Sequence, residues 1–196
     1  MRILLIVALL SFSVTQSAFA SDEADVYEVK RGEVWDWHDV LGKSEHYQGW
    51  AGIGLHTLVA RLNGSPKLKP GVRIRLAPLP ELLKGSPIFE RWPDAKALLD
   101  ARTFAKSLDA ENPKRTTWYQ FSDRTSMQEE ARRIHLVLAR LRKQAPRRAS
   151  VQLRGAMDSL KRLAAIPKKG KNWSYKDQMG LHRRIGLALL ELHKSL

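Results

Sequence analysis

The chain has 196 residues and no cysteine. Disulfides, thiolate metal ligation and a cysteine nucleophile are therefore excluded. Long hydrophobic runs are also missing. The unbroken apolar stretch from Ile3 to Leu10 falls well short of the roughly 20 residues that cross a bilayer core of about 30 Å. Nucleotide and hydrolase signatures are lacking too. Gly42-Lys43-Ser44 has Trp37 where a phosphate-binding loop needs its first glycine. Gly52 and Gly54 are followed by Thr57 where a dinucleotide fingerprint needs glycine, and no strand precedes them. Neither a His-Glu-x-x-His helix nor a Gly-x-Ser-x-Gly elbow is found. Acidic residues are scarce where the helical pattern is strongest, with 17 Lys/Arg against 5 Asp/Glu from Thr125 to Leu196. A glycosidase needs two carboxylates across a cleft. Glu129 and Glu130 are accounted for by a helix start and Asp158 by its arginine neighbours, so the chain reads as a protein without catalytic residues.

What is present begins with an export pattern. Met1-Arg2, the apolar run to Leu10 and Ser17-Ala18-Phe19-Ala20 before Ser21 follow the layout of a cleavable signal peptide over residues 1–20. With no cysteine to carry a lipid, the expected product is an exported protein of the periplasm or cell wall, soluble after cleavage near Ala20. The formal net charge is +14 and nearly all of the excess lies after Thr125. Such a face attracts polyanions. In the envelope these are an anionic polymer or an anionic lipid surface; nucleic acid obeys the same physics but is not the expected partner of an exported chain.

Val26 to Lys30 alternates as a short strand does, and Arg31-Gly32 turns it. Asp36 to Leu41 reads as a short helix. A connection from Glu45 to Leu55 follows, with Gly49, Gly52 and Gly54 beside Tyr47 and Trp50. Leu55, Leu58, Val59 and Leu62 recur at helical spacing, so His56 to Leu62 is predicted as a second helix. Asn63-Gly64 is a stop and turn signal, and Pro70-Gly71 leads into Val72, Ile74 and Leu76, which alternate with Arg73 and Arg75.

The pattern Tyr27-x-Val29-x-x-Gly32, then Leu62-Asn63, then Pro70-Gly71-x-x-Ile74-x-Leu76 resembles the lysin motif, LysM. The resemblance covers about 50 residues and implies a small βααβ module that binds peptidoglycan or N-acetylglucosamine oligomers. It further implies a shallow groove between the loop after the first strand and the loop before the second. Carried onto this chain, the groove residues are Gly32, Glu33, Val34 and Trp35 from the first loop, and Asn63, Gly64, Ser65, Lys67 and Leu68 from the second. Val34 and Trp35 stand where the family usually has a hydroxyl and an aliphatic residue, and the Glu45–Leu55 connection is longer than usual. Trp35 suits either a sugar floor or the core, and Asn63 either a ligand contact or a helix cap.

Beyond Pro78 and Pro80 the period turns helical. The expected order is a linker over 79–124, carrying a short element at Glu81 to Lys84, a helix from Ala95 to Leu108 capped by Asp94, and an aromatic connector with Trp118, Tyr119 and Phe121. A basic bundle over 125–196 then follows. Its first helix opens on a Ser126-x-x-Glu129 capping box and buries Met127, Ala131, Ile134, Leu138 and Leu141. Its second starts at Ser150 with a stripe of Leu153, Ala156, Met157, Leu160 and Leu163, and with Arg154, Asp158 and Arg162 pairing along the opposite face. Its third starts at Ser174 with Leu181, Ile185, Ala188 and Leu192. The fold class expected is α+β: a LysM-like βααβ domain over 26–78, then a mainly α-helical bundle of three to four helices.

The histidines give no metal pattern. His38, His46 and His56 lack zinc-pair spacing. His182 and His193, with His135, read as surface or boundary residues. No cofactor or metal is expected. Three functions are consistent with these residues: non-catalytic binding of peptidoglycan, with the basic bundle adding adhesion or docking a protein partner; an assembly scaffold whose LysM-like fold binds no sugar; and a wall hydrolase with an unrecognised site.

Overall fold

The computed structural model describes residues 26–34, 36–47, 53–110, 123–166 and 173–196. The expected signal peptide, Trp35, Trp50, the connector aromatics Trp118, Tyr119 and Phe121, and the basic loop at Pro167 to Lys171 lie outside the described residues.

Two short strands, β1 (Val26–Glu28) and β2 (Arg73–Arg75), pair antiparallel with Tyr27 opposite Ile74 and Glu28 opposite Arg73. The pairing runs on past the strand ends through Val29 N–H to the Val72 carbonyl and Gly71 N–H to the Val29 carbonyl, at 2.9 and 2.8 Å. Between the strands lie α1 (Trp37–Gly42) and α2 (Ile53–Leu62). The Asp36 carboxylate caps α1 by accepting from the backbone N–H groups of His38 and Asp39. Those two bonds, led by the one from Asp39, hold its carboxyl below the usual carboxylate range.

After β2 the chain turns inward: Leu76, Ala77, Leu79 and Leu83 are buried. Two short helices follow, α3 (Leu79–Leu82) and α4 (Pro87–Arg91), each with proline near its start, where the missing N–H costs nothing. A 3-10 turn at Pro93–Ala95 leads into α5 (Lys96–Ala110). Three long helices complete the fold: α6 (Arg124–Gln144), α7 (Arg147–Ala164) and α8 (Tyr175–His193). The described chain is thus mostly helical with one two-stranded antiparallel sheet, an α+β arrangement.

The buried stripe of α6 is the expected one, residue for residue. Its start is not. Asp123 is the N-cap and accepts from the Ser126 N–H at 3.0 Å, so Ser126 lies inside the first turn and forms no cap of its own. Ser126 also satisfies the capping-box pattern, but a cap is set by where the backbone leaves the helix, and Asp123 stands one turn earlier. Helix α7 likewise begins at Arg147, directly after Pro146, rather than at Ser150. Its Arg162 reaches Asp177 on α8 at 2.9 Å instead of pairing along its own helix. Ser174 caps α8 with a full capping box to Asp177.

Helix α8 is the axis of the molecule. Beyond its expected stripe it buries Gln178, His182, Gly186, Leu189 and Leu190, because α7, α2 and α5 all pack on it. The contact with α2 is close enough to require glycine. A Cβ on Gly54 would fall on the Leu187 amide nitrogen and 2.6 Å from the Gly186 carbonyl carbon, and one on Gly186 would lie 3.0 Å from the Leu55 nitrogen. A single hydrophobic cluster therefore runs from Val29 and Ile74 through Leu55, Leu58 and Val59 into Leu189 and Leu192. No described helix is long and apolar enough to cross a membrane.

Candidate functional site

Antiparallel pairing fixes where the two loops of interest emerge. The first leaves the C-terminal end of β1 and the second enters the N-terminal end of β2, so both spring from the same end of the sheet, beside the Glu28–Arg73 pair. In the first loop Gly32 has φ +75, a conformation that glycine adopts without strain. Glu33 is exposed and folds back along the strand, its Oε2 accepting from the Tyr27 hydroxyl at 3.2 Å. Burial, followed by that carboxylate, raises the Tyr27 phenol above its usual range. Val34 is half-buried against the core.

In the second loop Gly64 (φ +75) and Ser65 (φ 49) form a left-handed pair that ends α2, with Ser65 N–H donating to the Ala60 carbonyl at 2.7 Å. Gly64, Ser65 and Lys67 are exposed, and Leu68 packs its side chain on the core. Asn63 is a clamp between helix and strand. Its Nδ2 donates to the carbonyls of Val59 (3.0 Å) and Arg75 (3.1 Å), and its Oδ1 accepts from the Arg75 N–H at 2.8 Å. Both amide hydrogens are committed to backbone, which leaves the exposed donors and acceptors of this loop to Gly64, Ser65 and Lys67.

After α1, Lys43 and Glu45 are exposed and the segment turns into the core at Tyr47. That ring is buried, and its hydroxyl donates to the Ala77 carbonyl at 2.6 Å. Trp37 packs on the core. The His38 and His56 rings meet edge to face at 6.3 Å. Burial, then the neighbouring His38, lowers the His56 pKa. Among the described residues no group of three metal-ligating side chains forms.

A second polar cluster, unforeseen in the sequence, lies between α5 and α8. Arg102 is 7% exposed, and Lys106 one turn later is half-buried. Both donate to the His46 carbonyl, Nη2 of Arg102 at 3.4 Å and Nζ of Lys106 at 2.9 Å. The Arg102 guanidinium lies 5.9 Å from the centre of the Tyr47 ring. Burial lowers the Arg102 pKa to about 10 and also lowers that of Lys106, on which Arg102 acts as a second cause. His182, expected near the surface, is 4% exposed here; burial first, then Arg102 and Lys106, lower its pKa to about 3. Gln178 donates its Nε2 to the Ala105 carbonyl at 2.6 Å. The only sequence signal for this cluster was the i,i+4 spacing of Arg102 and Lys106 on the flank of an apolar stripe. The stripe of α8 visible in the sequence marks one buried face and leaves His182 off it.

No family model matches the chain, and neither a curated protein nor a solved structure matches it.

Proposed function

We propose that the chain is a non-catalytic envelope protein whose strand–helix–helix–strand unit is LysM-like and holds N-acetylglucosamine-containing glycan between Gly32–Trp35 and Gly64–Leu68. The observation that carries this reading is the strand–helix–helix–strand order with the two strands paired antiparallel, so that the loop after β1 and the loop before β2 join the sheet at one end; Glu33, Gly64, Ser65 and Lys67 on these loops are exposed. An acetamide needs donors and acceptors, and a sugar face needs an apolar floor. The loops offer the first through the exposed Glu33, Gly64, Ser65 and Lys67; the second is the role that the resemblance gives to Trp35. The basic outer faces of α6 and α7 add adhesion to anionic wall polymer or lipid, or dock a protein partner.

Titration with neutral N-acetylglucosamine oligomers tests the reading, with tryptophan fluorescence as the signal. Saturable binding that is insensitive to salt is expected, because a neutral sugar releases no counterions. Glu33→Ala with Lys67→Ala is expected to weaken it by about tenfold, equivalent to about 1.4 kcal/mol. No binding by the intact chain overturns the proposal.

One observation favours a scaffold reading instead: the commitment of the whole Asn63 amide to Val59 and Arg75 makes that residue architectural. In that case the protein sediments with insoluble peptidoglycan only at low salt and ignores the oligomers.

A further inference from the structure

Two cations one helical turn apart, one of them almost wholly out of water, share a single neutral carbonyl. That arrangement is costly. An arginine side chain stays charged at any physiological pH, and a buried charge is tolerated when it is paired. Tyr47 acts on the charge of Arg102, Arg102 acts on that of Lys106, and both cations act on His182. No carboxylate appears among these groups. The α8 side supplies the neutral His182 and Gln178, and the segment before Tyr47 supplies the His46 carbonyl. Gln178 adds a further mismatch: with Nε2 spent on Ala105, its Oε1 is buried without a hydrogen-bond partner.

We propose that Arg102 and Lys106, with Gln178 beside them, form a binding site for a phosphate group between α5 and α8. The charge matches, because a phosphate monoester carries about −1.5 to −2 at neutral pH against two cations. The donor geometry matches as well. A guanidinium presents a planar fork that takes two phosphate oxygens, and an ammonium adds a point charge on a third. The buried Gln178 Oε1 is an acceptor for a hydroxyl of the ligand. Lys106 is half-buried, so part of its side chain meets solvent. The ligand class is a small phosphate monoester or free phosphate. This site is separate from the sheet-end loops and does not depend on the glycan reading.

Thermal unfolding of the intact chain, at constant ionic strength, tests it with inorganic phosphate and glucose 6-phosphate as probes and acetate as the carboxylate control. Phosphate at tenfold its dissociation constant is expected to raise the midpoint by about 3–6 °C. Lys106→Gln is expected to abolish the shift and Lys106→Arg to keep it. Arg148→Gln with Arg154→Gln, on the exposed basic face of α7, is expected to leave it intact. A larger shift with glucose 6-phosphate than with phosphate identifies a monoester, and the reverse identifies the free ion. An equal shift with acetate, a shift that survives Lys106→Gln, or one that disappears with the Arg148 and Arg154 pair overturns the proposal. The same holds if no shift occurs. Arg102 is left unaltered because its loss removes a buried contact and confounds folding with binding.

Discussion

At the scale of single residues, His182 shows how burial changes what a side chain does. On the surface it would titrate near pH 6.5; within α8 its pKa is held at about 3. In the unfolded chain the imidazole takes up a proton as pH falls below 6.5, whereas in the folded chain it stays neutral until about pH 3. The unfolded state then binds more protons, so stability is lost across that window as pH falls, at up to about 1.4 kcal/mol per unit. Urea unfolding at pH 7.5 and 5.0 is expected to show this loss, and His182→Gln to reduce the difference between the two. Asn63 is the other residue whose role was undecided in the sequence. Its amide bridges α2 and β2 with three hydrogen bonds, and Asn63→Ala strands the Arg75 N–H and two carbonyls. A loss of about 2 kcal/mol in chemical unfolding is expected. The residue was legible as important, since Asn-Gly after an apolar stripe is a stop signal. Its second partner was not, because Arg75 is brought to it only by strand pairing.

At the scale of elements, helix starts are decided by backbone geometry where two polar residues compete. Asp123 caps α6 and Ser126 does not. Asp123→Ala is therefore expected to cost about 1 kcal/mol and Ser126→Ala only a few tenths, in thermal or urea unfolding. Glycines within helices divide in the same way. Gly180 is exposed on α8 with open space where a Cβ would sit, so Gly180→Ala is expected to stabilise by about 0.5–1 kcal/mol. Gly54 faces the α8 backbone at the crossing, and Gly54→Ala is expected to destabilise by about 3 kcal/mol, because neither backbone can give way. Both appear in the sequence simply as glycine in or beside an apolar stripe; the difference lies in what stands opposite.

At the scale of the whole molecule, the sheet-bearing unit and the basic helices share one hydrophobic cluster. Helix α2 turns Leu55, Leu58 and Val59 inward, and its close crossing with α8 covers that side. The intact chain is accordingly expected to unfold in a single transition seen alike by near-UV and far-UV circular dichroism. Residues 21–78 expressed alone are expected to bind a hydrophobic dye and lack a cooperative transition; a sharp independent transition of that fragment would contradict the shared core.

The sequence by itself determined the order of the two strands, α1, α2 and the longer helices α5 to α8, though not α4, together with the buried stripes of α6 and α8, the strand alternation at Val72–Leu76, and the concentration of positive charge after Thr125. These depend on periodicity, turn chemistry and composition, which are local along the chain. The tertiary structure alone decided that α8 is buried on several sides, that His182 and Arg102 lie in the interior, and that Asn63 is spent on a strand twelve residues away. Each of these depends on which element packs against which, and burial at one residue is set by neighbours that are distant in the chain. The strand–helix–helix–strand order rested on local signals and could be read early. The cationic layer between α5 and α8 exists only because three remote segments meet there.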